Sequence, residues 1–272
     1  MLRIAVRPLD RLDEFRECER IQKAVWGNVG VGSEVLAVTQ KYGGVVLGAS
    51  VNGKMAGCLY AFLARRHGRL IHWSHIMAVR RAYRNLGLGL RMKLAHRYLA
   101  LAQGLKSICW TFDPLQSRNA ALNLARLGAR VEEYVADLYG RFPSAIEKGL
   151  PSDRFVVNWH IASRVVERRL GERPPSSALP PWARVNPTAL NPQGLLENRR
   201  IRLGLRERRL LVEIPANTDL MRARDLALAR RWRFETRKLL IRYLAAGYRV
   251  KDFLRAGEAP EGRCYYVLGR TE

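Results

Sequence analysis

HWSHIMAVRRAYRNLGLGL, residues 72–90, is the stretch on which the reading of this chain turns. It opens as an apolar run, with Trp73, Ile76, Met77 and Val79 spread over both side-chain faces. That pattern predicts a strand covered on both sides. A short basic turn and Arg84-Asn85-Leu86-Gly87-Leu88-Gly89 follow, and then helical periodicity. Leu90, Leu94, Tyr98 and Leu101 form the expected apolar stripe, with Arg91, Lys93 and Arg97 off it. The unit is therefore strand, glycine-rich turn, helix. A helix start carries backbone N–H groups without intrahelical partners and the positive end of the aligned peptide dipoles. Glycines there let a ligand approach the backbone, and Arg84 adds a charge that can fork onto phosphate oxygens. A diphosphate suits such a turn; a tight connection that needs glycine only for packing is the plainer alternative.

The turn lacks the second spacing of the dinucleotide-binding fingerprint, and no G-K-[ST] follows as in a P-loop. It resembles the acyl-CoA-binding motif of the GNAT acyltransferase superfamily, R/Q-x-x-G-x-G/A, on Arg84, Gly87 and Gly89, with Val79 ending the strand upstream. The resemblance implies an acyl-CoA such as acetyl-CoA or succinyl-CoA. It implies that the backbone of Ile76, Met77, Ala78 and Val79 holds the pantetheine arm. It also implies that Arg84, Asn85, Leu86, Gly87, Leu88, Gly89 and Leu90 wrap the pyrophosphate.

A chain of 272 residues, 48% hydrophobic and 26% charged, is globular and can bury a sizeable core. The longest uncharged apolar run, 55–64, is too short to cross a bilayer. The opening MLRIAVRPLD has no apolar signal core, and four scattered cysteines lack metal-ligand spacing. These features predict a cytoplasmic protein with reduced cysteines and no metal. The net charge of +24 comes mostly from arginine, since only eight of 48 basic residues are lysine. Such charge invites nucleic-acid binding. Its dispersal, with no run of five or six like charges, favours a solvated surface instead.

Taken in order, 2–7 predict a strand and 12–26 a helix. Ser33 is a candidate cap for a second helix over 34–41. Two strands over 45–51 and 55–64 are joined by the hairpin signal Asn52-Gly53. Strand 69–79, the glycine turn and a helix to about Gly104 come next. Then follow a strand over 107–112, a helix over 116–127 closed by Gly128, and strands over 130–138 and 154–162. This order resembles the GNAT fold over residues 1–165. The fold class implied is α/β (α+β), a mixed, mostly antiparallel sheet flanked by helices. Its fourth and fifth strands would splay apart. Residues 166–203 read as a Pro-rich linker or an extended wrap. Residues 204–272 read as a smaller β-α-β-β extension with one helix over 219–246, packed through Leu228, Trp232, Leu239 and Tyr243. A DNA-reading role for that helix, through Arg230, Arg233 and Arg237, is the less favoured alternative.

Acyl transfer to an amine needs a neutral amine, a polarised carbonyl and a fate for the departing thiolate. His75, four residues before Val79, is the leading base because imidazole titrates near neutrality. His72, on the other face of a regular strand, is the weaker histidine. Glu34, on the second helix, is an alternative base, directly or through water. Many members of the family carry a tyrosine four residues before the glycine ending the fourth helix. That position is Leu124 here, so Tyr139 or water stands as the substitute acid. Asn119 is the better candidate of two asparagines, with Asn123, for the pantetheine amides. The function implied is an acyl-CoA-dependent N-acyltransferase acting on a small-molecule amine, with no membrane role and scope for a homo-oligomer. The alternative is a domain that binds CoA or nucleic acid without catalysis.

Overall fold

The computed structural model describes residues 2–27, 30–140, 149–171, 179–257 and 263–270. They divide into two compact units. The first runs to Trp110 and takes in His160–Ser163; the second holds the rest, from Thr111 onward. The division falls within a strand, whereas the composition shift in the sequence pointed to about residue 165.

In the first unit the order is β1 (Ile4–Pro8), α1 (Leu12–Trp26), α2 (Ser33–Lys41), β2 (Val45–Val51), β3 (Lys54–Arg66), β4 (Arg69–Val79) and α3 (Leu88–Ala102). The strand β5 (Ile108–Phe112) begins there. β1, β2, β3 and β4 pair antiparallel in sequence order. Asn52 and Gly53 both take positive φ, 49° and 81°, which the two-residue hairpin turn demands. Apolar residues on alternate sides of these strands feed two cores. Phe15, Cys18 and Ile21 of α1 and Leu36 of α2 pack on Val46, Cys58, Tyr60 and Ala78. Leu88 and Met92 of α3 pack on Val45, Leu47, Leu59 and Ala61. Burying each of the valine, leucine, isoleucine, phenylalanine and methionine side chains among them stabilises the fold by about 1.5–3 kcal/mol.

The second unit adds α4 (Ser117–Ala120), which continues as a π-helical turn over Ala121–Arg126, then β6 (Arg130–Val135), β7 (Arg154–Trp159) and α5 (Arg164–Gly171). Short strands β8 (Ala183–Arg184), β9 (Thr188–Leu190) and β10 (Leu196–Asn198) precede β11 (Arg209–Ile214). The chain ends in α6 (Thr218–Arg224), α7 (Leu226–Ala245), β12 (Tyr248–Ala256) and β13 (Arg263–Arg270). The larger sheet has the hydrogen-bonded order β1-β2-β3-β4-β5-β7-β6, and a second has the order β12-β13-β11-β8. Within the second unit the C-terminal elements pack on the segment after β5. Tyr266 donates to the Pro114 carbonyl at 2.7 Å, Thr218 to that of Leu115 at 2.7 Å, and Ser117 to that of Ala216 at 2.6 Å.

The α/β architecture matches the expectation, with local departures. Gly32, not Ser33, occupies the N-cap of α2, and the Ser33 N–H is met instead by the Glu19 carboxylate at 3.2 Å. The predicted helix over 116–127 is one α-turn followed by the π-turn, in which Leu127 N–H reaches back five residues to Leu122 O. The single helix predicted over 219–246 is two, because the Asp225 side chain caps a new start by accepting from Leu228 N–H at 2.8 Å. The described part of the predicted linker is structured. It holds α5, a β9–β10 hairpin and β8 paired parallel to β11.

α3 departs most. Leu94 and Tyr98 are 37% and 74% exposed, while Lys93 and His96 are buried with Met92 and Ala100. The buried face is thus rotated from the predicted apolar stripe, because polar partners on β4 receive it.

Candidate active site

β4 organises the first unit's polar features. It pairs parallel with β5 only at His72↔Ile108 and Trp73↔Cys109. From Ser74 onward its β5-facing edge leaves that ladder, so the two strands fork. On the other edge, Ala61 pairs with Ser74 and Tyr60 with Ile76, which leaves His75 as the extra residue of a β-bulge. The bulge aims His75 outward beside the rings of Tyr60 and Phe62, each 6.1 Å from its own. Although His75 is exposed, the protein packed along its inner side disfavours the cation and pushes its pKa below the ordinary value. His75 is neutral near pH 7 and able to accept a proton.

Ile76, Met77 and Val79 are half-buried and Ala78 is buried, with their backbones still paired to β3. After Val79 a 3₁₀ turn over Arg81–Tyr83 leads to the loop. Arg84 is exposed, its Nε donating to the Val79 carbonyl at 3.4 Å. Asn85 and Gly87 take positive φ, 67° and 75°. Gly87 is the N-cap of α3, so no side chain caps that helix, and a Cβ built at Gly87 meets nothing within 4 Å. The first N–H groups of α3, from Leu88 through Leu90, have no intrahelical partner. A shallow depression of about 480 Å³ lies beside the loop, lined by Asn52, Lys54, Tyr83 and Leu86 among others.

Charge favours an anion at this loop. No aspartate or glutamate occurs between Glu34 and Asp113, a span holding twelve lysines and arginines. Arg80 is tied to Glu17 at 2.5 Å, whereas Arg81, Arg84 and Arg91 are exposed. The loop thus fits a phosphate-bearing group by its open N–H groups, its bare glycine and its local charge.

Other candidates are placed as follows. Glu34 is exposed in the first turn of α2, next to the Ser33 hydroxyl at 3.5 Å. His72 is buried; its Nε2–H donates to the Gly43 carbonyl at 3.1 Å, and its Nδ1 accepts from His96 Nε2–H at 3.1 Å. In the second unit, the Tyr139 hydroxyl lies 3.1 Å from that of Thr111 on β5, and Arg154 stacks over its ring at 5.1 Å. Asn119 is exposed on α4, but Asn123 is buried in the π-turn, so the two do not share a surface.

Two features of the second unit escaped the sequence. Asp113, expected only to order a turn, receives both guanidinium nitrogens of buried Arg233 at 2.7 and 2.5 Å. Burial opposes the Asp113 carboxylate, but Arg233 more than offsets that and holds its pKa below the usual range. Arg237 pairs with fully buried Asp153 at 2.5 Å, and Tyr134 donates to the same carboxylate. These pairings, with Trp232, Leu239 and Tyr243 buried, make α7 a packed helix.

Among the described residues no group of three or more His, Cys, Asp or Glu is arranged to hold a metal, and no helix is long and apolar enough to cross a membrane. All four cysteines are free and buried.

No family model matches this chain, and no curated protein does. Solved structures resemble it over more than half its length. Arabidopsis thaliana Naa50 in complex with a CoA bisubstrate analogue is 13% identical, with a TM-score of 0.47 over 57% of this chain and 97% of that one. The ribosomal-protein-S18-alanine N-acetyltransferase of Escherichia coli is 14% identical, with a TM-score of 0.48 over 59% and 96%. An acetyltransferase of the GNAT family from Streptococcus pneumoniae is 22% identical, with a TM-score of 0.45 over 57% and 98%. These likenesses are distant. By its strand order, its forked β4 and β5, the bulge at His75 and the glycine turn opening α3, the protein has the GNAT fold.

Proposed function

We propose that the protein is an acyl-CoA-dependent N-acyltransferase. It would move an acyl group, acetyl or another such as succinyl, directly from the thioester to a small-molecule amine. The observation that carries this reading is the composition of β4. One strand has an edge released from β5, a bulge bearing a neutral, exposed histidine, and an end leading into an uncapped helix start in a basic surround.

When bound, the acyl donor supplies an activated carbonyl; the remaining work belongs to the chain. Backbone groups of Ile76–Val79 on the released edge would bond the pantetheine amides. The N–H groups from Arg84 to Leu90, with the Arg84 guanidinium, would hold the pyrophosphate. His75 takes the proton from the attacking amine, with Glu34 through a water as the alternative. The sequence candidates Asn119 and Tyr139 belong to the second unit.

Calorimetric titration of acetyl-CoA, succinyl-CoA and free CoA tests the donor half of this reading. Wild type should bind with micromolar affinity, and Arg84→Glu should weaken binding by about tenfold or more, roughly 1.4 kcal/mol. Absence of binding by wild type would end the reading. With any amine that turns over in a screen, His75→Ala should lower turnover by about 10²-fold or more while CoA affinity holds. Equal loss of both would make His75 a packing residue.

A further inference from the structure

A thiolate leaving an acyl carbon departs more readily when a proton meets it. Leu124, where the resemblance places a tyrosine, has no proton to give. The closed end of the fork holds another candidate. Lys93, on the buried face of α3, is 2% exposed. Its Nζ donates to Ser74 Oγ at 3.1 Å and lies 3.6 Å from the centroid of the Trp110 ring. Ser74 on β4 and Trp110 on β5 are the first residues past the last paired position, Trp73↔Cys109. The ammonium therefore sits at the apex where the strands part. It lies on the α3 side of β4, while the next residue, His75, lies on the side of Tyr60 and Phe62.

We propose that Lys93, acting through the hydroxyl of Ser74, is the source of the proton received by the departing sulfur, an inference that rests on the N-acyltransferase reading above. As the acceptor nitrogen forms its bond to the acyl carbon, the carbon–sulfur bond breaks and its electron pair goes to sulfur. Ser74 passes its hydroxyl proton to the sulfur and regains one from the Lys93 ammonium, leaving a neutral amine. His75 accepts the proton that the acceptor nitrogen sheds, so atoms and charge balance. Lys93 regains its proton through the Ser74 hydroxyl once the thiol has left.

The surroundings of Lys93 suit a donor rather than a fixed cation. Among the described residues no carboxylate is placed against it, and burial pushes its pKa down to about 7. An ordinary thiol titrates at about 8.5, so transfer toward sulfur runs downhill. The titratable groups nearest it are His96 of α3 and His72 of β4, both held below the ordinary histidine value, mainly by burial. Neither supplies a counter-charge, and Trp110 contributes only its ring face.

The test reads the thiol rather than turnover. Free CoA is bound to wild type, Lys93→Met and Ser74→Ala, and the ultraviolet absorbance of the bound thiolate is followed against pH. An ammonium within reach stabilises the thiolate. Below about pH 7, where Lys93 still carries its proton, the bound thiolate fraction should be about tenfold larger on wild type than on Lys93→Met, with Ser74→Ala between them and CoA affinity kept; well above that pH the curves should converge. Lys93→Gln repeats the comparison if the methionine disturbs folding by circular dichroism. Identical titration on every variant that binds CoA would overturn the proposal and leave the N-acyltransferase reading intact. Failure of wild type to bind CoA would remove both.

Discussion

The two compact units treat buried charge in opposite ways. In the second, Arg233 and Arg237 each meet a carboxylate, Asp113 and Asp153, at hydrogen-bonding distance. In the first, buried Lys93 meets a hydroxyl and an indole face. A desolvated charge with a matched partner stays charged over the whole working pH range, and removing the partner exposes the full desolvation cost. One with only a neutral acceptor and a ring is held near its titration point, where a proton moves at little cost. The first arrangement builds structure and the second supplies chemistry.

That contrast breaks most directly at Arg233. Arg233→Met should lower unfolding free energy by about 3–5 kcal/mol, because Asp113 is left buried without its counter-ion. Denaturant midpoints measure this, and a loss below about 1 kcal/mol would show that the pair is not the anchor described. Arg237→Met should cost less, about 1.5–3 kcal/mol, since Asp153 keeps the Tyr134 hydroxyl and the Asp137 N–H.

The Lys93 side of the contrast is read through pH. Its folded pKa lies below that of the unfolded chain, so the unfolded state binds more protons between about 7 and 10.4. Its contribution to stability is complete above the unfolded value and is lost as pH falls through about 7. Raising pH from about 7 to 8.5 should stabilise wild type by up to roughly 2 kcal/mol, and Lys93→Met should flatten that rise. Above that window Cys58 acts the other way, because its neighbour Cys18 and burial hold its thiol up. Equal slopes in both proteins would mean that Lys93 is ionised normally.

Much of the fold was legible in the sequence because its signals are local. Asn52-Gly53 specifies its own turn, Gly87 ends a loop only an unhindered residue can close, and β4 matches the predicted 69–79 span. Site residues that depend on distant partners were not legible. Lys93 read as part of a polar face of α3 with Arg91 and Arg97, since Ser74 and Trp110 that receive it lie far away in sequence. Leu94 and Tyr98 looked like core for the same reason. Asp113 and Arg233 stand 120 residues apart, and no spacing rule connects them. The break at Asp225 carried a usable signal, a good capping residue within an otherwise helical run.

The acid-free span from Glu34 to Asp113 bears on how an anionic ligand arrives, apart from how it is held. The exposed Arg81, Arg84 and Arg91 draw a polyanion from beyond contact range, over the roughly 8–10 Å that salt leaves unscreened. Capture would then be fast and sensitive to ionic strength, while escape would be set by short-range bonds at the loop and change little. In stopped-flow mixing with CoA, salt should act on the forward rate, and Arg84 on the reverse.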